Sequence, residues 1–192
     1  MKATRKVKVS GKKVELRIEY EDLEVLESWP GNPKLHDVEG IANSIRRFGF
    51  AAPIVIDETS RRIVAGHGRR EALSKIRLAS EPAPKNVKVE GDRWLVPVVR
   101  GNEFASEEEA ERYLLADNRF VELGGWDPEL LIGMIGKFGD EDLASVGFDR
   151  EEVDRISRLA SEGVEAPTEF VSFNASSVPT THECPKCGFK WS

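Results

Sequence analysis

The chain has 192 residues, 40% of them hydrophobic and 32% charged, with a formal net charge of −6 and two cysteines. That is material for one modest domain with appendages. No apolar run approaches a membrane span and no apolar core follows the charged start, so the expectation is a cytoplasmic protein without a membrane partner. The acidic balance excludes a surface that attracts nucleic acid everywhere, and any DNA contact must come from a local basic patch.

Residues 1–12 form a basic N-terminal tail with Lys2, Arg5, Lys6, Lys8 and Lys12. Lys13 to Tyr20 alternate polar and apolar, the period of a half-buried strand. Trp29-Pro30-Gly31-Asn32-Pro33 must be a loop. Asp37 can cap a helix whose apolar residues Val38, Ile41, Ala42, Ile45 and Phe48 recur with a helical period, and Gly49 sits where a C-terminal cap belongs. Pro53 to Asp57 is a buried strand, and Arg62 to Ala65 is another. Gly66-His67-Gly68 then turns into a helix through about Leu78. Residues 79–94 predict a loop or a small hairpin, and Leu95 to Arg100 a further strand. Ser106 and Glu109 make a capping box for a helix with Ala110, Tyr113, Leu114 and Val121 on its apolar face. Asp117 and Asn118 fall on that same face. A carboxylate there points into a polar pocket or costs several kcal/mol, on the order of an unpaired buried charge. Trp126 is expected in the core. Asp127 with Pro128, and Asp149 with Glu152, start two more helices. Residues 161–181 have a linker's composition.

The segment Arg62-Ile63-Val64-Ala65-Gly66-His67-Gly68-Arg69-Arg70 suits an anion. Glycines let the backbone approach closely, the N–H groups at a helix start point outward, and arginine clamps phosphate oxygens with paired donors. The bland alternative is a plain strand-to-helix turn, with His67 packed and Arg70 solvated.

Both cysteines lie near the end, in His182-Glu183-Cys184-Pro185-Lys186-Cys187-Gly188. Cys-Pro-x-Cys-Gly has the shape of a zinc knuckle, which turns two thiolates toward one ion. His182 can be a third ligand, and a closed structural site needs a fourth from elsewhere. A reduced tail without metal is the alternative.

Several ordered motifs together resemble the ParB/sulfiredoxin superfamily. They are Asn32-Pro33-Lys34, Ser44 to Phe50, Pro53-Ile54-Val55, Ile63 to Arg69, and Leu115-Ala116-Asp117-Asn118-Arg119, over roughly residues 14–135. The pattern is most similar to the phage and prophage branch associated with DNA methyltransferases. The resemblance implies an α+β fold: a ParB/sulfiredoxin-like core with a small mixed sheet and helices, here over residues 13–126. Short C-terminal helices (127–160), the linker (161–181) and the zinc-knuckle-like tail (182–192) would follow.

The resemblance also implies roles. Gly66, Gly68 and Arg69 match the turn that holds phosphates. Asp117 and Asn118 match the pair that holds the metal-phosphate group in ParB, and Asn32 and Lys34 match a motif near the nucleotide. His67 stands where sulfiredoxin has its catalytic cysteine, which removes peroxiredoxin repair, and becomes with Asp117 a candidate catalytic residue. The ParB turn Gly-Glu-Arg-Arg is replaced by Gly66-His67-Gly68-Arg69. No methyltransferase signature is present.

The expected function is binding of a nucleotide or DNA phosphate in phage or prophage DNA metabolism or modification. Magnesium and a nucleoside triphosphate are the implied cofactors, and hydrolysis or phosphoryl transfer the implied chemistry. The cell would be bacterial, phage-infected or not. A second expectation is a non-catalytic DNA-binding adaptor that recruits a methyltransferase or another phage protein, as a homodimer or alone. A ParB-like nuclease ranks last, because Asp117 alone is well placed for a metal.

Overall fold

The structure is a computed structural model that describes residues 15–161, 182–183, 185–188 and 190–191. Its centre is a mixed sheet of five strands: β1 (Arg17–Asp22), β2 (Ile54–Asp57), β3 (Ile63–Ala65), β4 (Lys88–Glu90) and β5 (Arg93–Asn102). The order is β1-β5-β2-β3, with β4 also on β5. β1 runs antiparallel to β5 and β2 parallel to it, while β2 and β3 are antiparallel. Leu95 of β5 faces Asp22 on one side and Lys88 on the other, so β4 shares an edge of β5 with β2.

The strands form where β-branched residues cluster. Ile54, Ile56, Ile63, Val64, Val96 and Val98 are all at most 1% exposed. Two helices cover this face, α1 (Val38–Phe48) and α2 (His67–Leu78). They contribute Ala42, Ile45, Ala72, Leu73 and Ile76 to a single core cluster with the strands. The Asp37 side chain accepts from Gly40 N–H, and Gly49 closes α1 with φ 84°. Both ends follow the sequence expectation.

α3 (Glu107–Leu123) crosses beside β3. Ser106 accepts from Glu109 N–H, and the Glu109 carboxylate accepts from Ala105 N–H, so the reciprocal cap forms one residue earlier than a standard box. Only Ala110 and Leu114 are buried on this helix. Val121 is 80% exposed, which corrects the expectation that it continues the apolar face. The buried stripe ends at Leu114. Trp126 is likewise 73% exposed rather than core, touching Phe148 edge-on.

The remaining helices are α4 (Pro128–Ile135), α5 (Asp140–Ser145) and α6 (Arg150–Ser161). They build a separate small cluster from Leu131, Ile135, Leu143 and Val153. α5 was not foreseen as a separate helix; it is short, opens on Asp140, Glu141 and Asp142, and buries Leu143. It sits against α1, where Arg47 pairs with Asp142 at 2.9 Å. The sequence also missed Leu23 and Leu26, both buried around a 3-10 turn at Leu23–Val25. The tail hairpin pairs β6 (His182–Glu183) with β7 (Lys190–Trp191). Residues 1–14 and 162–181 lie outside the described residues, and so do the basic tail and linker placed there.

Candidate functional site

Two glycines of the β3–α2 turn leave no room for a side chain. Gly66 adopts φ 101°, a left-handed conformation that a side chain would strain. A Cβ on it would lie 2.9 Å from Arg69 Nη2. Gly68 has a different reason. A Cβ there would lie 2.8 Å from Ile41 Cδ1 and 2.9 Å from His36 Cγ, so the glycine lets α2 approach α1 and the loop before it.

His67 begins α2 and is only 3% exposed. Its Nε2 accepts from Trp29 N–H at 3.1 Å. Burial pushes its pKa down to about 4, assisted by the charges of His36 and Arg70 and opposed by a hydrogen bond with the Ile63 backbone. The neutral ring with Nδ1–H toward the Ile63 carbonyl satisfies both nitrogens. His67 thus ties the turn to the loop carrying Trp29, and the geometry favours that tie over proton transfer.

Trp29 is a supporting residue that sequence reasoning passed over as loop. Its side chain is buried with Val64, Ala110 and Leu114, beneath α3. Arg62 lies over its ring at 5.7 Å. One residue therefore links the turn, through its N–H, to α3, through its ring. The signal available was a tryptophan directly ahead of Pro-Gly, which reads as loop unless the partner surface is known.

Arg69 projects from the first turn of α2. Its Nη2 donates to the Pro53 carbonyl at 3.0 Å, while its Nε is buried without a partner. Burial lowers its pKa, and the Asp117 carboxylate opposes that shift. Arg70 Nε and His36 Nε2 are also buried and unpaired. Arg70 is half-buried, in contrast to the solvated side chain expected.

These residues meet in a cleft of about 130 Å³ lined by His36, Ile41, Gly66, His67, Gly68, Arg69, Asp117 and Asn118. The fold brings the Gly-His-Gly-Arg turn and the Asp-Asn pair of α3 face to face. Asp117 is exposed and accepts no hydrogen bond among the described residues, so the feared cost of a buried charge does not arise. Asn118 Nδ2 donates to the Leu114 carbonyl at 2.9 Å. On one side the cleft adjoins a recess of about 290 Å³ that shares Ile41 and Arg69 and is otherwise mostly apolar, with Ile45, Phe48 and Phe50. On the other it adjoins a hollow lined by Lys34, Asn118, Arg119 and Glu122.

Asn32 and Lys34 stand at this outer end. The Asn32 side chain accepts from Lys34 N–H at 3.2 Å and shapes the loop. Lys34 Nζ pairs with Glu122 at 2.5 Å, and Glu122 also pairs with Arg119 at 3.0 Å.

The overall backbone has a solved counterpart. The C-terminally truncated chromosome-partitioning protein ParB from Caulobacter crescentus, complexed with CTP-gamma-S, aligns at a TM-score of 0.52 and 19% identity. The alignment covers 76% of this chain and 79% of that one. The chain has a ParB-like fold. A Pnob8-like ParB-N domain aligns over 77% of this chain and 50% of its own, at 16% identity and a TM-score of 0.37. No protein-family model matches the ParB-like chain, and no curated protein is similar enough to count as a match.

In the tail, the hairpin carries His182 in its first strand and an exposed Cys187 in its turn. Cys184 lies outside the described residues. Among the described residues no three His, Cys, Asp or Glu side chains group as a metal site. No described helix is long and apolar enough to cross a membrane.

Proposed function

We propose that the cleft binds the phosphates of a nucleoside triphosphate and that the protein works with DNA in phage or prophage DNA metabolism or modification. One observation carries the reading. Buried, unpaired nitrogens of Arg69 and His36 lie in the same cleft as the N-terminus of α2. Unpaired buried donors are a standing cost, and a phosphate oxygen removes it. The adjoining apolar recess suits the flat, mostly apolar faces of a nucleobase. The bound CTP analogue of the ParB counterpart agrees with this choice of ligand.

The residues divide the work. The amides of Gly68 and its neighbours and the guanidinium of Arg69 hold phosphate oxygens. His67, neutral and doubly hydrogen-bonded, fixes the turn. Asp117 and Asn118 would be the residues to hold a magnesium ion, whose sites commonly use one or two carboxylates. Bound there, the ion would neutralise phosphate charge.

The non-catalytic adaptor is the second reading, favoured by His67. With His67 engaged, Asp117 is, among the described residues, the one carboxylate lining the cleft to act as a base. The exposed apolar residues Phe120 and Leu123 of α3, Trp126 of the connection and Leu130 and Met134 of α4 support a protein partner, either a second copy or a methyltransferase. Cys184 and Cys187, with His182, are our proposed zinc half-site on the strength of their sequence spacing.

The test is calorimetry with each of the four nucleoside triphosphates and magnesium, with and without duplex DNA, alongside phosphate release. Binding with turnover supports the enzyme, and binding without turnover supports the adaptor. Binding of none removes the phosphate reading. Metal analysis of tag-free protein tests the tail: about one zinc per one or two chains is expected, removable by a chelator.

A further inference from the structure

One polar side chain in the cleft belongs to none of the sequence motifs assigned above. His36 lies in the loop between Lys34 and the Asp37 cap of α1 and lines the cleft with Gly66, Arg69, Asp117 and Asn118. Its position is set by close packing. A Cβ on Gly68 would fall 2.9 Å from His36 Cγ and 3.0 Å from Nδ1, so the imidazole rests directly on the first turn of α2. Its plane lies within 8° of the His67 ring, with centroids 6.4 Å apart.

The two histidines differ in one decisive way. His67 Nε2 is occupied by Trp29 N–H. His36 Nε2 is shielded from solvent and has no hydrogen-bond partner. A buried polar nitrogen in a native fold has a partner unless something else is meant to supply one. The neighbours in the cleft do not: Asn118 is bonded back to its own helix, Arg69 offers only donors, and the Asp117 carboxylate is exposed and accepts no hydrogen bond among the described residues.

Resting on the phosphate reading, we propose that His36 is a ligand-binding residue whose Nε2–H donates to a phosphate oxygen held at the start of α2. Phosphate presents only acceptors there, so the ring serves as the Nε2–H tautomer or as imidazolium. In this arrangement Arg69 and the amides of α2 grip the anion from one element, and His36 grips it from a second, the loop before α1. Gly68 then has a second duty, since any side chain there would push the imidazole off its seat.

The experiment uses the whole protein and inorganic tripolyphosphate, which needs no choice of base. Wild-type protein with nitrogen-15 imidazoles is titrated and followed by NMR, while His36→Gln and His36→Leu are measured by calorimetry. The His36 Nε2 resonance should shift on binding, with His67 moving much less. His36→Leu should bind about tenfold more weakly, the loss of one charge-assisted bond. His36→Gln, whose amide can donate from a similar place, should stay within about threefold. An unmoved His36 Nε2 in saturated wild type overturns the proposal, even if the leucine variant does not fold. Equal losses in both variants with native circular dichroism also overturn it, because the role is then packing. Wild type that binds neither tripolyphosphate nor any nucleoside triphosphate brings down the phosphate reading itself. Tight binding that ignores His36 brings down only this assignment.

Discussion

The wall of the cleft built on α2 and the wall built on α3 are held by different means. On the α2 side, Ala72, Leu73 and Ile76 root the helix in the main core. His67, Gly66 and Gly68 fix its first turn by a hydrogen bond, a left-handed φ and a close approach. On the α3 side, Ala110 and Leu114 alone are buried; beyond them only Ala116 and Asn118 are half-buried, and the exposed Glu122 pairs with Lys34 and Arg119. Surface ion pairs of that kind contribute little and yield to competing ions. A rigid donor wall thus faces an adjustable acidic one. On the proposed reading, an anion would dock on the preformed turn while the second wall adapts to what it carries.

The largest effect should come from the rigid wall. His67 has a folded pKa of about 4 against an ordinary value of 6.5. Between those values the unfolded chain binds more protons, so stability is full above about pH 6.5 and falls as pH drops toward 4. The loss should approach about 3 kcal/mol, read from urea midpoints across that window. His67→Gln should flatten the slope; an unchanged slope would mean that His67 is not held neutral. Next, Arg69→Ala should cost tripolyphosphate binding about 2 kcal/mol, roughly thirtyfold, with little change in melting temperature. If stability collapsed and affinity did not, Arg69 would be a structural arginine serving the Pro53 carbonyl.

Gly68→Ala should destabilise by about 1–2 kcal/mol through overpacking against Ile41 and His36, and should weaken anion binding in step. Stability loss without affinity loss would separate the turn's packing from its ligand. The smallest effect belongs to the adjustable wall. Glu122→Gln releases Lys34, so tripolyphosphate binding at low salt should tighten about twofold and the thermal midpoint should stay put. A marked stability loss would show that the α3 wall is as rigid as the α2 wall.

Much of this was legible along the chain. Asp37, Ser106, Asp127 and Asp149 all cap the helices their positions suggested, because a cap is a local bargain between one side chain and nearby N–H groups. β2 and β3 follow from short β-branched runs between turn residues. Local rules failed where burial depends on what lies opposite. Val121 keeps the helical period yet faces solvent, and Trp126 is exposed although it is the kind of residue that fills cores. Trp29 shows the converse, a loop tryptophan buried under α3.

The same division runs through the site. Sequence alone determined that residues 66–69 would make a glycine-rich helix start with an arginine in its first turn, since that follows from backbone sterics and spacing. It also determined that Asp117 and Asn118 would share a helix face. Only the tertiary structure decided that the two faces meet, that His67 is spent on Trp29, and that His36 is left with an unpaired nitrogen between them. Which polar atoms are satisfied depends on distant partners, and no period or motif in a chain encodes the distance between them.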